Sequence, residues 1–83
     1  MRLVWSQQAW SDYLHWQSVE KVNILIKDAM RSPFKGLGKP EPLKGLLAGW
    51  WSRRITGEHR LVYRVAGKDD VQSLEIAACR YHY

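Results

Sequence analysis

The stretch "SPFKGLGKPEPLKGLL", residues 32–47, limits this chain more than any other. Gly36, Gly38, Pro40, Pro42 and Gly45 exclude a regular helix or a central strand there. The two flanks carry different periodicities, so the chain divides into a helical half and a strand half.

Before the divide, residues 2–5 are short, apolar and β-prone, and read as a first strand. Ser6 is placed to cap a helix over residues 7–17, where Ala9, Trp10, Tyr13 and Leu14 recur at helical spacing. Ser18 is placed to cap a second helix over 19–31, marked by Val22, Leu25, Ile26, Ala29 and Met30. Pro33 ends it, because the residue before proline avoids the α region. After the divide, residues 48–56 and 59–65 flank Gly57-Glu58 as a hairpin, Gly67 to Asp70 make a turn, and 72–82 form a last strand. The order β-α-α-β-β-β predicts an α+β domain over residues 1–83, with two helices packed on a twisted antiparallel sheet.

At 83 residues a domain has little core to spare, and five Trp, four Tyr and one Phe supply bulk from few side chains. The single Cys excludes an internal disulfide and fits a reducing, cytoplasmic setting. Met1 to Trp5 run straight into polar residues, unlike a signal peptide, and no apolar run nears the ~20 residues of a membrane span. The net charge of +5 suits a polyanion or an acidic protein, and charge alone does not choose.

The scattered His15, His59 and His82 and the lone Cys79 give no metal-ligand spacing, so neither metal nor cofactor is expected. Gly36-Leu37-Gly38 lacks the third glycine and following helix of a dinucleotide fingerprint, and no Ser lies in a nucleophile elbow. Glu41 lies between Pro40 and Pro42, with Lys39 and Lys44 nearby. It reads either as a solvated loop glutamate or as a carboxylate pre-set by its prolines for a substrate.

Arg53, Arg54, Arg60, Arg64 and Arg80 fall on expected strands, some as a solvent face and some as phosphate ligands. Alternation puts Arg53 and Arg54 on opposite faces. A two-residue turn would set Arg60 opposite Ile55, away from Arg54; a bulge or longer loop would bring Arg54 and Arg60 together. His82, with a reference pKa near neutrality, suits a general acid. Glutamate, histidine, arginines and tyrosine together form a kit for metal-free RNA cleavage through 2′-OH attack.

The motifs "LVWSQQAWSDYLHWQ", "GLGKPEPLKG", "GWWSRRITGEHRLVYRV" and "IAACRYHY" closely resemble the YoeB toxins of the RelE/ParE superfamily over nearly the whole chain. The resemblance implies a microbial-ribonuclease-like fold and ribosome-dependent mRNA cleavage in the A site of the 70S ribosome. It makes Glu41 the general base, Lys44 an active-site lysine, Arg54 and Arg60 the sheet arginines, His82 the general acid and Tyr83 the terminal aromatic. The expected catalytic set is therefore Glu41, Arg60, His82 and Tyr83, with Lys39, Lys44, Arg53, Arg54 and Arg80 on phosphate. A YefM-type antitoxin is the implied partner, with a homodimer contact as a further expectation. The second helix is shorter than the family pattern by about five residues, more than one helical turn. The competing readings are a ParE-like gyrase poison, which would not need the set Glu41, Arg60, His82 and Tyr83, and a non-catalytic RNA-binding module that shifts RNA without cutting it.

Overall fold

In the computed structural model the described residues are 1–81, so the expectations placed on His82 and Tyr83 lie outside them. The chain order is β1 (Arg2–Trp5), α1 (Gln7–His15), α2 (Glu20–Arg31), β2 (Glu41–Pro42), β3 (Trp51–Arg54), β4 (Arg60–Ala66) and β5 (Ser73–Ala78). Short 3-10 turns occupy Gly45–Leu47 and Asp69–Val71. The strands form one sheet in the order β1-β5-β4-β3-β2.

The expectation of an all-antiparallel sheet needs correction: β1 runs parallel to β5, with Arg2 beside Ser73 and Trp5 beside Ile76. The other three pairings are antiparallel. Strand periodicity carries no direction, and two helices and three strands, rather than a tight turn, separate β1 from its partner. The last strand stops at Ala78 instead of 82, and β3 is confined to four residues.

Ser6 caps α1 as expected, its Oγ accepting the Ala9 N–H at 3.0 Å. Ser18 does not cap α2, whose N-cap is Val19 with no side-chain bond. The α1 stripe is also rotated from the sequence reading. Ala9 and Asp12 are buried, whereas Leu14 is 64% exposed and Trp10 47%. Trp10 packs instead on Tyr13 and Trp5, with ring centroids 5.6 and 5.5 Å away. From α2, Val22, Leu25, Ile26 and Ala29 meet Leu61, Tyr63, Leu74 and Ile76 in the core, as the periodicity predicts.

Arg53 is the largest fully buried side chain. It lies on the helix-facing side of β3 with all five N–H groups engaged. Nε donates to Tyr63 Oη at 2.9 Å. Nη1 donates to Asp28 Oδ2 at 2.6 Å and to the Leu37 carbonyl at 3.1 Å. Nη2 donates to the Ser32 and Lys35 carbonyls at 2.6 and 3.1 Å. The Tyr63 hydroxyl donates onward to the Pro33 carbonyl at 2.6 Å. One guanidinium thus ties α2, the loop after it and the sheet together.

Asp28 accepts the Leu37 N–H at 2.9 Å and Arg31 Nη2 at 2.7 Å besides Arg53. These bonds, that of Leu37 first, hold its carboxyl well below the usual carboxylate range. A depressed folded pKa contributes stability above the unfolded value of about 3.9, lost as pH falls through the folded one. The melting temperature should therefore fall as pH drops below about 4, and Asp28→Asn should start lower and flatten that slope, as read by circular dichroism. Arg53→Ala, which leaves Asp28 without its buried partner, should lower the melting temperature on the order of 10 °C or more.

Candidate functional site

The loop pinned by Arg53 carries the chain to the outer edge of the sheet. Gly38 makes the passage, with φ +79°, and its carbonyl accepts the Arg54 N–H at 2.7 Å. A Cβ there would sit 2.9 Å from Leu25 Cδ2 and 3.1 Å from the Arg54 carbonyl, so glycine is required. Three residues on, Glu41 pairs with Ser52 and Pro42 with Trp51. Proline is tolerated because β2 is an edge strand. The Glu41-Pro42 step is thus a short strand set on a rigid neighbour.

The hairpin parity is settled in favour of the longer loop. Ile55 and Thr56 N–H both bond the His59 carbonyl, at 3.0 and 3.3 Å, and Arg54 falls directly opposite Arg60. With Glu41 beside Ser52, the residues Glu41, Ser52, Arg54 and Arg60 share the face away from the helices. They line a cleft of about 60 Å³ with Gly38 and Lys39. A larger hollow of about 520 Å³ adjoins it through Gly38, Lys39 and Arg54. Its floor is Ile24, Leu25 and Leu37 and its lining has no carboxylate, whereas Glu41 lines the smaller cleft.

Arg60 is held in place: Nη1 donates to the Thr56 and His59 carbonyls at 3.1 and 3.2 Å. Two guanidiniums directly opposed on a sheet repel each other. Among the described residues the ion pairs are Arg31–Asp28, Arg53–Asp28 and Arg64–Glu75, and none of them neutralises Arg54 or Arg60. Such a pair favours an incoming anion, and the guanidinium fork matches a phosphodiester.

The expected site residues therefore part company. Glu41, Arg54, Arg60 and Lys39 converge on the cleft. Lys44 is exposed at the start of the 3-10 turn Gly45–Leu47, outside the cleft lining. Arg53 is corrected: it is a buried structural residue, not a phosphate ligand, because the Asp28 carboxylate, the Tyr63 hydroxyl and three backbone carbonyls take all its donors. Arg80 is half-buried, its guanidinium 5.0 Å from the Tyr81 ring centroid.

Sequence reasoning missed Ser52, buried in the cleft, and the contacts that anchor the segment after β5. Asp12 Oδ2 accepts the Cys79 N–H at 3.1 Å, and Trp16 Nε1 donates to the Cys79 carbonyl at 2.9 Å. A register shift opposite Val62 and Tyr63 reorients the strand, because Val62 pairs with Ala78 but Tyr63 with Ile76. Cys79 consequently turns into the core, as the sequence suggests for a structural cysteine.

The described residues thus form a small α+β domain with a carboxylate and paired arginines on the open face of its sheet. Comparisons with known proteins give this domain a family. The chain matches the family described as YoeB-like toxin of bacterial type II toxin-antitoxin system over residues 5–83. It is 62% identical to Toxin YoeB of Escherichia coli (strain K12), covering 100% of both chains. Among solved structures, the YoeB/ParE toxin from Agrobacterium tumefaciens superposes with a TM-score of 0.96 at 59% identity, covering 100% of both chains. YoeB in the heterotetrameric YoeB-YefM complex from Staphylococcus aureus superposes with a TM-score of 0.84 at 45% identity, over 100% of this chain and 98% of that one. This chain belongs to the YoeB-like toxin family of type II toxin–antitoxin systems.

Burial, and then the negative charge of Asp12, push the Cys79 thiol up to about 12. At pH 8 iodoacetamide should therefore leave native Cys79 largely unmodified over a period in which urea-unfolded protein is fully alkylated, as read by intact mass.

Proposed function

We propose that this chain is a ribosome-dependent mRNA endoribonuclease that cuts in the A-site codon by metal-free acid–base catalysis and so inhibits translation. The observation that carries the reading is the opposed pair Arg54 and Arg60 beside Glu41 in one cleft. In this reading Glu41 takes the proton from the ribose 2′-OH and the oxygen attacks the adjacent phosphorus. Arg60 and Arg54 stabilise the charge that grows on the phosphoryl oxygens. His82 protonates the departing 5′-oxygen, leaving a 2′,3′-cyclic phosphate and a 5′-hydroxyl. Lys39, Lys44 and Arg80 hold flanking phosphates, and Tyr83 stacks on an unpaired base.

The partners proposed are the 70S ribosome with mRNA in its A site, and a YefM-type antitoxin. The YoeB-YefM complex solved from Staphylococcus aureus supports the second. A YoeB dimer solved from the same organism supports a homodimer of this chain. Among the described residues no helix is long and apolar enough to cross a membrane. Work on translating ribosomes sets the proposed location in the cytoplasm.

The test is cleavage of a defined mRNA with and without programmed ribosomes, the cuts mapped by primer extension. Glu41→Ala and Arg60→Ala should each reduce A-site cleavage by about 10²–10³-fold. Removal of the last two residues should abolish cleavage with little change in melting temperature. Intact mRNA under every condition, or full activity in the truncated chain, would sink the reading.

A further inference from the structure

Regular pairing ends at Ala78, the last residue of β5. The backbone beyond it is nevertheless bonded, largely by side chains. Asp12 and Trp16, both reached from the α1 side, hold the two polar groups of Cys79. At Tyr81 the backbone N–H donates to Nδ1 of His59 at 2.7 Å, and the Tyr81 carbonyl accepts the Arg60 N–H at 2.9 Å. Tyr81 has φ +61°, a left-handed conformation that a bulky residue adopts only when its surroundings impose it. The surroundings here are explicit. The His59 ring lies 5.1 Å from the Tyr81 ring and 4.9 Å from the Trp16 ring, edge-on to the latter.

We propose that His59 is a positioning residue: its Nδ1, as an acceptor, locks the Tyr81 backbone and so fixes the direction in which the chain leaves Tyr81. The importance of this lock for cleavage rests on the ribonuclease reading above; the lock itself does not. Three features favour the assignment. His59 lies next to Arg60 in sequence, so one short segment supplies both a cleft guanidinium and the anchor of the terminal segment. Accepting a backbone N–H requires a lone pair on Nδ1, which places the ring proton on Nε2 and makes His59 a neutral acceptor rather than an acid. Trp16 braces the ring from behind while its own N–H holds Cys79, so one indole supports both ends of the clamp.

Two substitutions separate the acceptor from the ring. In His59→Asn, Oδ1 can stand where Nδ1 stood, so the acceptor survives without the ring. In His59→Phe the packing against Trp16 survives without the acceptor.

The first measurement needs no RNA. In ¹⁵N-labelled protein, the Tyr81 amide should exchange slowly in wild type and in His59→Asn, and about tenfold faster in His59→Phe. Long-range ¹H–¹⁵N spectra of wild type should show the His59 proton on Nε2. The second is single-turnover cleavage on programmed ribosomes, with ribosome affinity followed separately. His59→Phe should lose about 10–100-fold in rate with affinity unchanged, and His59→Asn should recover most of the loss. An unprotected Tyr81 amide in wild type, or a proton on Nδ1, overturns the lock even if a variant fails to fold. Full-rate cleavage by His59→Phe overturns its role in positioning. Wild type that protects Tyr81 but cuts nothing on ribosomes refutes the ribonuclease reading and leaves the lock standing.

Discussion

The buried Arg53 guanidinium is the interaction on which the rest depends. A fully desolvated cation is tolerable only if a carboxylate and a complete set of acceptors surround it. Asp28, Tyr63 and three loop carbonyls meet that condition. Because three of the acceptors are backbone atoms of residues 32–37, satisfying Arg53 also fixes a loop that no regular hydrogen-bond ladder could hold. The loop's exit at Gly38 is in turn bonded to Arg54, the next residue of the same strand. Adjacent arginines thus do opposite work: one faces inward and builds the loop, the other faces outward into the cleft that the loop delimits.

The sheet's outer face inherits its chemistry from this arrangement. Glu41 is placed by its pairing with Ser52, and Arg60 by its pairing with Arg54. Each sits on backbone that is ladder-bonded or tightly turned, so the charged groups are held apart by the sheet rather than by one another. Opposed cations and a nearby carboxylate are costly without a ligand, and a domain of 83 residues has few other interactions to offset that. The cost is understandable where a polyanion is to be bound.

Beside Arg60, where the segment after β5 meets the start of β4, the same economy recurs. Once β5 runs out of partners, Asp12, Trp16 and His59 take over the work of a neighbouring strand. The aromatic richness of the chain serves this purpose as well as the core, because an indole can pack and donate at once. Tyr81's left-handed backbone marks the place where the chain is turned by side-chain contacts instead of by a sheet.

Much of this was legible beforehand. The α2 stripe, the Ser6 cap, the Gly/Pro divide and the β-hairpin followed from local periodicity and turn chemistry, which act over a few residues. Glu41, Arg54 and Arg60 were singled out by residue type and motif, and they do meet. Periodicity assigns a residue to a face but carries neither strand direction nor loop length nor the identity of the opposite partner. Only the folded chain decided that β1 runs parallel to β5, that a longer turn sets Arg54 against Arg60, and that Arg53 belongs to the interior. The buried Asp12 and the His59 acceptor were equally invisible, because each acts on a backbone group more than twenty residues away. Those are contacts between distant parts of the chain, and they exist only once the helices and sheet have closed on one another.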